Sequence, residues 1–211
     1  MNKEFTKPLL FLLAACCFGQ GSPDHFYLPP GANHPRPALI ILSCTGATKS
    51  DLDSCKIIAD SLGWILAACA RSRNHRDALL NDYDIMAVHS QLVAKYPVDK
   101  SRIFIYGFSG QGVQALMSVF LHPESFRGAL SICGHDAVME LARPEALEDK
   151  LFYLITRDND WNREANLRIH AVLKQAGTRD TLIITRGRHE PKGFKEVYQG
   201  CRWLDKKTKQ M

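Results

Sequence analysis

Six short runs of almost unbroken apolar residues, separated by segments of helical period, constrain this 211-residue chain more than any other feature. They cover 38–43, 64–69, 102–106, 128–133, 151–156 and 181–185. Ala38-Leu39-Ile40-Ile41-Leu42 has no polar face, so a strand built from it must be covered on both sides. Helical segments are predicted at about 51–62, 78–96, 111–121, 162–176 and 193–206. Strand and helix alternating in this way give parallel βα units. The expected fold is therefore α/β, a three-layer sandwich around a mostly parallel central sheet of about six strands. Pro29, Pro30, Pro35 and Pro37 crowd the approach to the first run, which sets an N-terminal entry segment at 16–37 and one domain at 38–211. No repeat, low-complexity tract or long linker divides that domain.

The loops after the strands narrow the function. A dinucleotide-binding domain needs a Gly-x-Gly-x-x-Gly turn after its first strand. This chain has Ser43-Cys44-Thr45-Gly46-Ala47 there. Acidic or phosphate-binding loops of the flavodoxin or receiver kind are also missing, so no cofactor is expected. Neither a Cys-x-x-Cys pair nor His-Glu-x-x-His occurs, and no metal site is expected.

The loop after the third run has a different chemistry. Arg102-Ile103-Phe104-Ile105-Tyr106 leads through Gly107-Phe108-Ser109-Gly110-Gln111-Gly112 into Val113-Gln114-Ala115-Leu116-Met117, so the chain passes from strand to helix within a few residues. Gly107 allows strand and helix to approach, and Gly110 lets the backbone bend while its N–H points outward. The positive end of the helix is directed at the same place. A bare Gly-x-Ser is common, and such a serine is often just a helix N-cap. Strand before and helix after favour a nucleophile instead.

This segment resembles the nucleophile elbow of α/β-hydrolases, particularly secreted esterases and depolymerase-like members with a Gly-Phe-Ser core. It departs from their Gly-x-Ser-x-Gly pattern at Gln111, where a small residue is usual. Gln111 would suit an inactive relative, a binding protein of the cell envelope on the same fold. The resemblance implies a Ser-His-Asp triad in the chain order serine, acid, histidine, each after its own strand. Thr156-Arg157-Asp158-Asn159-Asp160-Trp161-Asn162-Arg163 is similar to the acid loop of depolymerase-like and feruloyl-esterase-like hydrolases, which favours Asp160, with Asp158 as the second candidate. Gly187-Arg188-His189-Glu190-Pro191 resembles the histidine loop of the same fold and makes His189 the base. His135 also follows a strand but precedes the acid, so it is read as lining the substrate pocket, together with Cys44 and Trp161. Thr45 and Gly110 are expected to supply the two backbone N–H groups of an oxyanion hole. The implied activity is hydrolysis of a small-molecule carboxylic ester. A peptidase of the prolyl-oligopeptidase type is the alternative, since the same triad cleaves amides.

The N-terminus reads separately. Lys3 and Lys7 flank the start, Leu9-Leu10-Phe11-Leu12-Leu13-Ala14-Ala15 is apolar, and Cys16-Cys17 follows. The run is well short of the ~20 residues that span a bilayer and has the character of a signal peptide over 1–15. Leu13-Ala14-Ala15-Cys16 resembles the lipobox of bacterial lipoproteins, in which the cysteine is acylated. The expectation is an exported protein, held at the bacterial cell envelope through acylated Cys16 or released to the periplasm or medium. Export leaves Cys44, Cys55, Cys69, Cys133 and Cys201 in an oxidising compartment, an odd number that cannot all pair with one another. Cys69 and Cys133 end apolar runs and read as small buried residues. The formal charge is +5. Loss of Lys3, Glu4 and Lys7 with the signal peptide removes a net single positive charge and leaves +4. Lys206, Lys207 and Lys209 make a basic helix end. No face interleaves aromatic and basic residues, so no nucleic-acid partner is expected.

Overall fold

The computed structural model describes residues 24–210. The signal peptide and Cys16 lie outside the described residues. The sheet has seven strands in the order β1-β3-β2-β4-β5-β6-β7. These are β1 His25–Tyr27, β2 Arg36–Ile41, β3 Ile65–Ala68, β4 Val98–Phe108, β5 Gly128–Ile132, β6 Leu151–Asn159 and β7 Arg179–Arg188. All pairs are parallel except β1 with β3, where His25 faces Ala68 and Tyr27 faces Leu66. β1 is the strand beyond the six expected. It lies in the entry segment and, at three residues, is too short to show a period of its own.

Alternation along each buried strand splits the core into two layers. Ala38, Ile40, Ile103, Ile105, Phe152 and Leu154 face one layer, against helices α3 Ala78–Lys95, α4 Gly110–Leu121 and α6 Arg163–Gln175. Leu39, Ile41, Phe104, Leu130, Tyr153 and Ile155 face the other, against α1 Lys49–Ser54, α2 Lys56–Leu62 and α7 Phe194–Thr208. A short helix, α5 Pro144–Leu147, adds Leu147 to the first layer. The single helix expected at 51–62 is two. The Cys55 N–H is shared between the carbonyls of Leu52 and Asp53, which tightens the turn and breaks the helix there. Thr48 and Asp51 form a reciprocal capping box at the start of α1, and the Asp77 side chain caps α3.

The topology locates the site. From β2 the chain winds to β3 on one side, then crosses to β4 on the other, so the order reverses at β2. Loops after the carboxyl ends of β2 and β4 diverge there and leave a crevice at the strand ends. Phe104, in the middle of β4, is fully buried and stacks on Trp64 at 5.2 Å between ring centroids. Phe104→Ala should cost about 3–5 kcal/mol, read as a lower urea midpoint with an unchanged slope.

Candidate active site

At the end of β4 the backbone of Ser109 has φ 56 and ψ −126. A non-glycine residue in that region carries strain on the order of 1–3 kcal/mol, held in place by its surroundings. The Ser109 N–H donates to the Ile132 carbonyl of β5 at 2.8 Å. The Ser109 carbonyl accepts from Gly112 and Val113 at 2.9 and 3.2 Å, which starts α4. Gly107 is obligatory for this turn, because a Cβ there would lie 2.0 Å from the Gln111 carbonyl oxygen. Gln111 itself, the departure from the usual pattern, turns away from the serine. Its side chain is buried, accepts from the Ser72 hydroxyl at 2.7 Å and reaches Asn74 at 3.4 Å.

Ser109 is formally the residue capping α4, but its side chain makes no capping bond. The hydroxyl instead lies 2.8 Å from His189 Nε2. His189 Nδ1 lies 2.8 Å from Asp160 Oδ1, and that oxygen also accepts the Asn162 N–H at 2.8 Å. Thr156 Oγ1 donates to Asp160 Oδ2 at 3.3 Å. Ser109, His189 and Asp160 thus form one hydrogen-bonded line. Asp158 is exposed and points elsewhere, accepting the Gly187 N–H at 2.8 Å.

The imidazole is enclosed by rings as well as by its polar partners. Trp161 stacks on it at 3.9 Å and 22°, and Phe108 lies against it at 5.1 Å and 47°. Only 7% of the His189 side chain is exposed, whereas Trp161 is 75% exposed. Burial pushes the Asp160 carboxyl up, but bonds from Cys133, the Asn162 N–H and His189, with the His189 charge, outweigh it and hold the carboxyl below its usual value. The Cys133 thiol is pushed well up by burial and by Asp160. A thiol, a carboxylate and an imidazole within 4.8 Å of one another could suggest a metal site. Here the carboxylate and imidazole are engaged with each other and the thiol keeps its proton, so the set is a hydrogen-bonded one.

Two cavities flank this line. One, of about 410 Å³, contains Ser109 and is walled by Asn74, His75, Gln114, His135 and Trp161. The other, of about 380 Å³, lies towards α1 and α7 and is lined by Cys44, Cys55, Tyr106, Phe108 and Phe194. His135 and Trp161 therefore stand in the serine cleft, and Cys44 in the neighbouring cavity, where its thiol reaches the Phe108 carbonyl at 3.4 Å. Thr45 is exposed on the turn after β2, which the Gly46 N–H closes onto Ser43 O at 2.9 Å, and Gly110 opens α4 beside the serine. All five described cysteines are free thiols, Cys69 and Cys133 fully buried.

Sequence reasoning missed Arg157 and Glu196. Arg157 is fully buried and its Nη2 lies 2.7 Å from Glu196 Oε2 and 3.1 Å from the Glu190 carbonyl. An arginine directly after an apolar strand run was the only signal. Ser72 and Asn74, the partners of Gln111, carried none.

No protein-family model and no curated protein matches the chain in sequence. Solved structures do. A carboxylesterase of Bacillus cereus is similar with a TM-score of 0.69 and 18% identity, over 87% of this chain and 93% of its own. FphF, a fluorophosphonate-binding serine hydrolase of Staphylococcus aureus, aligns with a TM-score of 0.68 and 13% identity, over 86% and 91%. Esterase PE8 gives 0.66 and 16%, over 90% and 97%. The chain has the α/β-hydrolase fold.

The lowered Asp160 carboxyl has a consequence for stability. A carboxyl lower in the folded than in the unfolded state stabilises fully above the unfolded value, about 4, and that contribution is lost as pH falls through the folded value. Asp160→Asn should therefore flatten the decline of urea midpoints measured between about pH 2 and 5.

Proposed function

We propose that this chain is a serine hydrolase that cleaves carboxylic esters through an acyl-enzyme on Ser109. The observation that carries the reading is the serine hydroxyl bonded to His189 Nε2 instead of capping its own helix. A serine hydroxyl is a poor nucleophile until a base takes its proton. In the proposed reaction Ser109 Oγ attacks the carbonyl carbon while His189 Nε2 accepts the hydroxyl proton. Asp160, on Nδ1, fixes the tautomer and stabilises the imidazolium. The tetrahedral oxyanion lies between the N–H groups of Thr45 and Gly110, aided by the positive end of α4. Collapse breaks the ester C–O bond, and the departing alcohol takes the proton from His189. A water then attacks the acyl-enzyme, gives its proton to His189, and the acid leaves as the serine is restored. The chemistry needs no cofactor.

Gln111 does not count against activity, because its side chain is committed to Ser72 and Asn74. Esters are preferred to peptides because an alcohol is the easier leaving group, whereas an amine must be fully protonated before it departs. The similar esterases and serine hydrolases support the same direction. The N-terminal pattern supports export, with acylated Cys16 attaching the enzyme to a membrane.

Ser109→Ala should abolish turnover of a short-chain p-nitrophenyl ester, and wild-type protein without turnover contradicts the reading. Thr45→Pro deletes one oxyanion N–H and should lower kcat by about 10²–10³-fold. Cys16→Ala should end incorporation of labelled palmitate and release the protein from the membrane fraction, whereas continued labelling refutes the anchor.

A further inference from the structure

The end of β6 and the residue just after it hold the histidine segment at more points than the triad bond alone. Asp158 Oδ1 accepts the Gly187 N–H at 2.8 Å, Asp160 Oδ1 meets His189 Nδ1 at 2.8 Å, and Arg157 Nη2 donates to the Glu190 carbonyl at 3.1 Å. The same Nη2 meets Glu196 Oε2 in the first turn of α7 at 2.7 Å. His189 is thus bracketed in sequence, with a β6 bond two residues before it and another one residue after it. Gly187, at φ 138, sits where an ordinary residue would be strained, and the Asp158 bond falls on its amide.

Arg157 is costly where it stands. It is fully buried, and its Nε and Nη1 have no hydrogen-bond partner among the described residues. A buried ion pair of this kind is poor evidence of stabilisation, since desolvation can exceed the attraction. Its one effect visible in the structure is geometric: a single guanidinium nitrogen ties the residue after His189 to the helix that follows. Asp158 is exposed, so its bond to Gly187 also contributes little to the core.

We infer that Arg157 and Asp158 are positioning residues that hold the 187–190 segment so that His189 Nε2 stays within hydrogen-bond reach of Ser109. The inference rests on the catalytic reading above. Neither residue touches Ser109, and both act through backbone groups of the histidine segment. Small displacements of a base are expensive: about 1 Å can cost on the order of 100-fold in rate.

The test compares Asp158→Ala, Asp158→Asn and Arg157→Met with wild type in p-nitrophenyl acetate turnover, thermal unfolding and amide hydrogen exchange. Asp158→Ala should lower kcat by about 10-fold with KM and melting temperature little changed, and should speed exchange at 187–190. Asp158→Asn keeps an oxygen for the Gly187 N–H and should restore kcat, which a purely charge-based role would not produce, while the unchanged melting temperature of Asp158→Ala separates positioning from a general structural role. Arg157→Met, if folded, should lower kcat by about 10–100-fold, again with little change in KM. The inference is overturned if Asp158→Ala keeps wild-type kcat and unchanged exchange, whether or not Arg157→Met folds. It is also overturned if Asp158→Asn is as slow as Asp158→Ala. Absence of turnover in wild type overturns the catalytic reading, while normal wild-type turnover with unaffected variants overturns this inference alone.

Discussion

The rest of the site depends on the backbone at Ser109, held at φ 56 and ψ −126 between a central strand and a buried helix. That conformation points the side chain out of the helix it would otherwise cap. It persists because what surrounds it is hard to move. Every residue from Gln111 to Phe120 is buried, and the Ser109 amide is bonded to the adjacent strand. Packing on this scale outweighs a local strain of a few kcal/mol. Sheet order then does the rest, because β2 and β4 are neighbours at the reversal point and their loops open on one crevice.

His189 is the part of the line with least freedom. Asp160 and Ser109 take its two nitrogens, and Trp161 and Phe108 lie against the ring. An imidazole held this way needs little reorganisation to exchange a proton with the serine, which is the property the proposed reaction requires. The exposed Trp161 closes the ring off from solvent on one face while remaining at the rim of the serine cleft.

Much of this was legible in the sequence, for physical reasons. Five strands buried on both sides leave uninterrupted apolar runs, and a nucleophile turn needs small residues between strand and helix; the sixth run became the edge strand β7, where Ile183 and Ile184 stay exposed. Other features depend on partners distant in the chain. β1 owes its existence to pairing with β3 and has too few residues to show a pattern. β6 and β7 continue past their apolar runs through Arg157, Asp158, Arg186 and Arg188, because their backbone pairing carries on to Asn159 and Arg188 whatever the side chains. The acid-loop resemblance ranks Asp160 ahead of Asp158, but the path of the strand end is what carries Asp160 to His189 and turns Asp158 to Gly187. Gln111 reads as a defect until the hydroxyl of Ser72, 39 positions earlier, is seen to donate to its side-chain oxygen.

The central claim is that Ser109 carries an activated hydroxyl. Its most direct test is to treat the purified protein with a fluorophosphonate and locate the adduct by peptide mass spectrometry. A single phosphonyl group on the peptide containing Ser109, absent after His189→Ala, is the result predicted. An unmodified protein, or an adduct on another residue, would contradict the account.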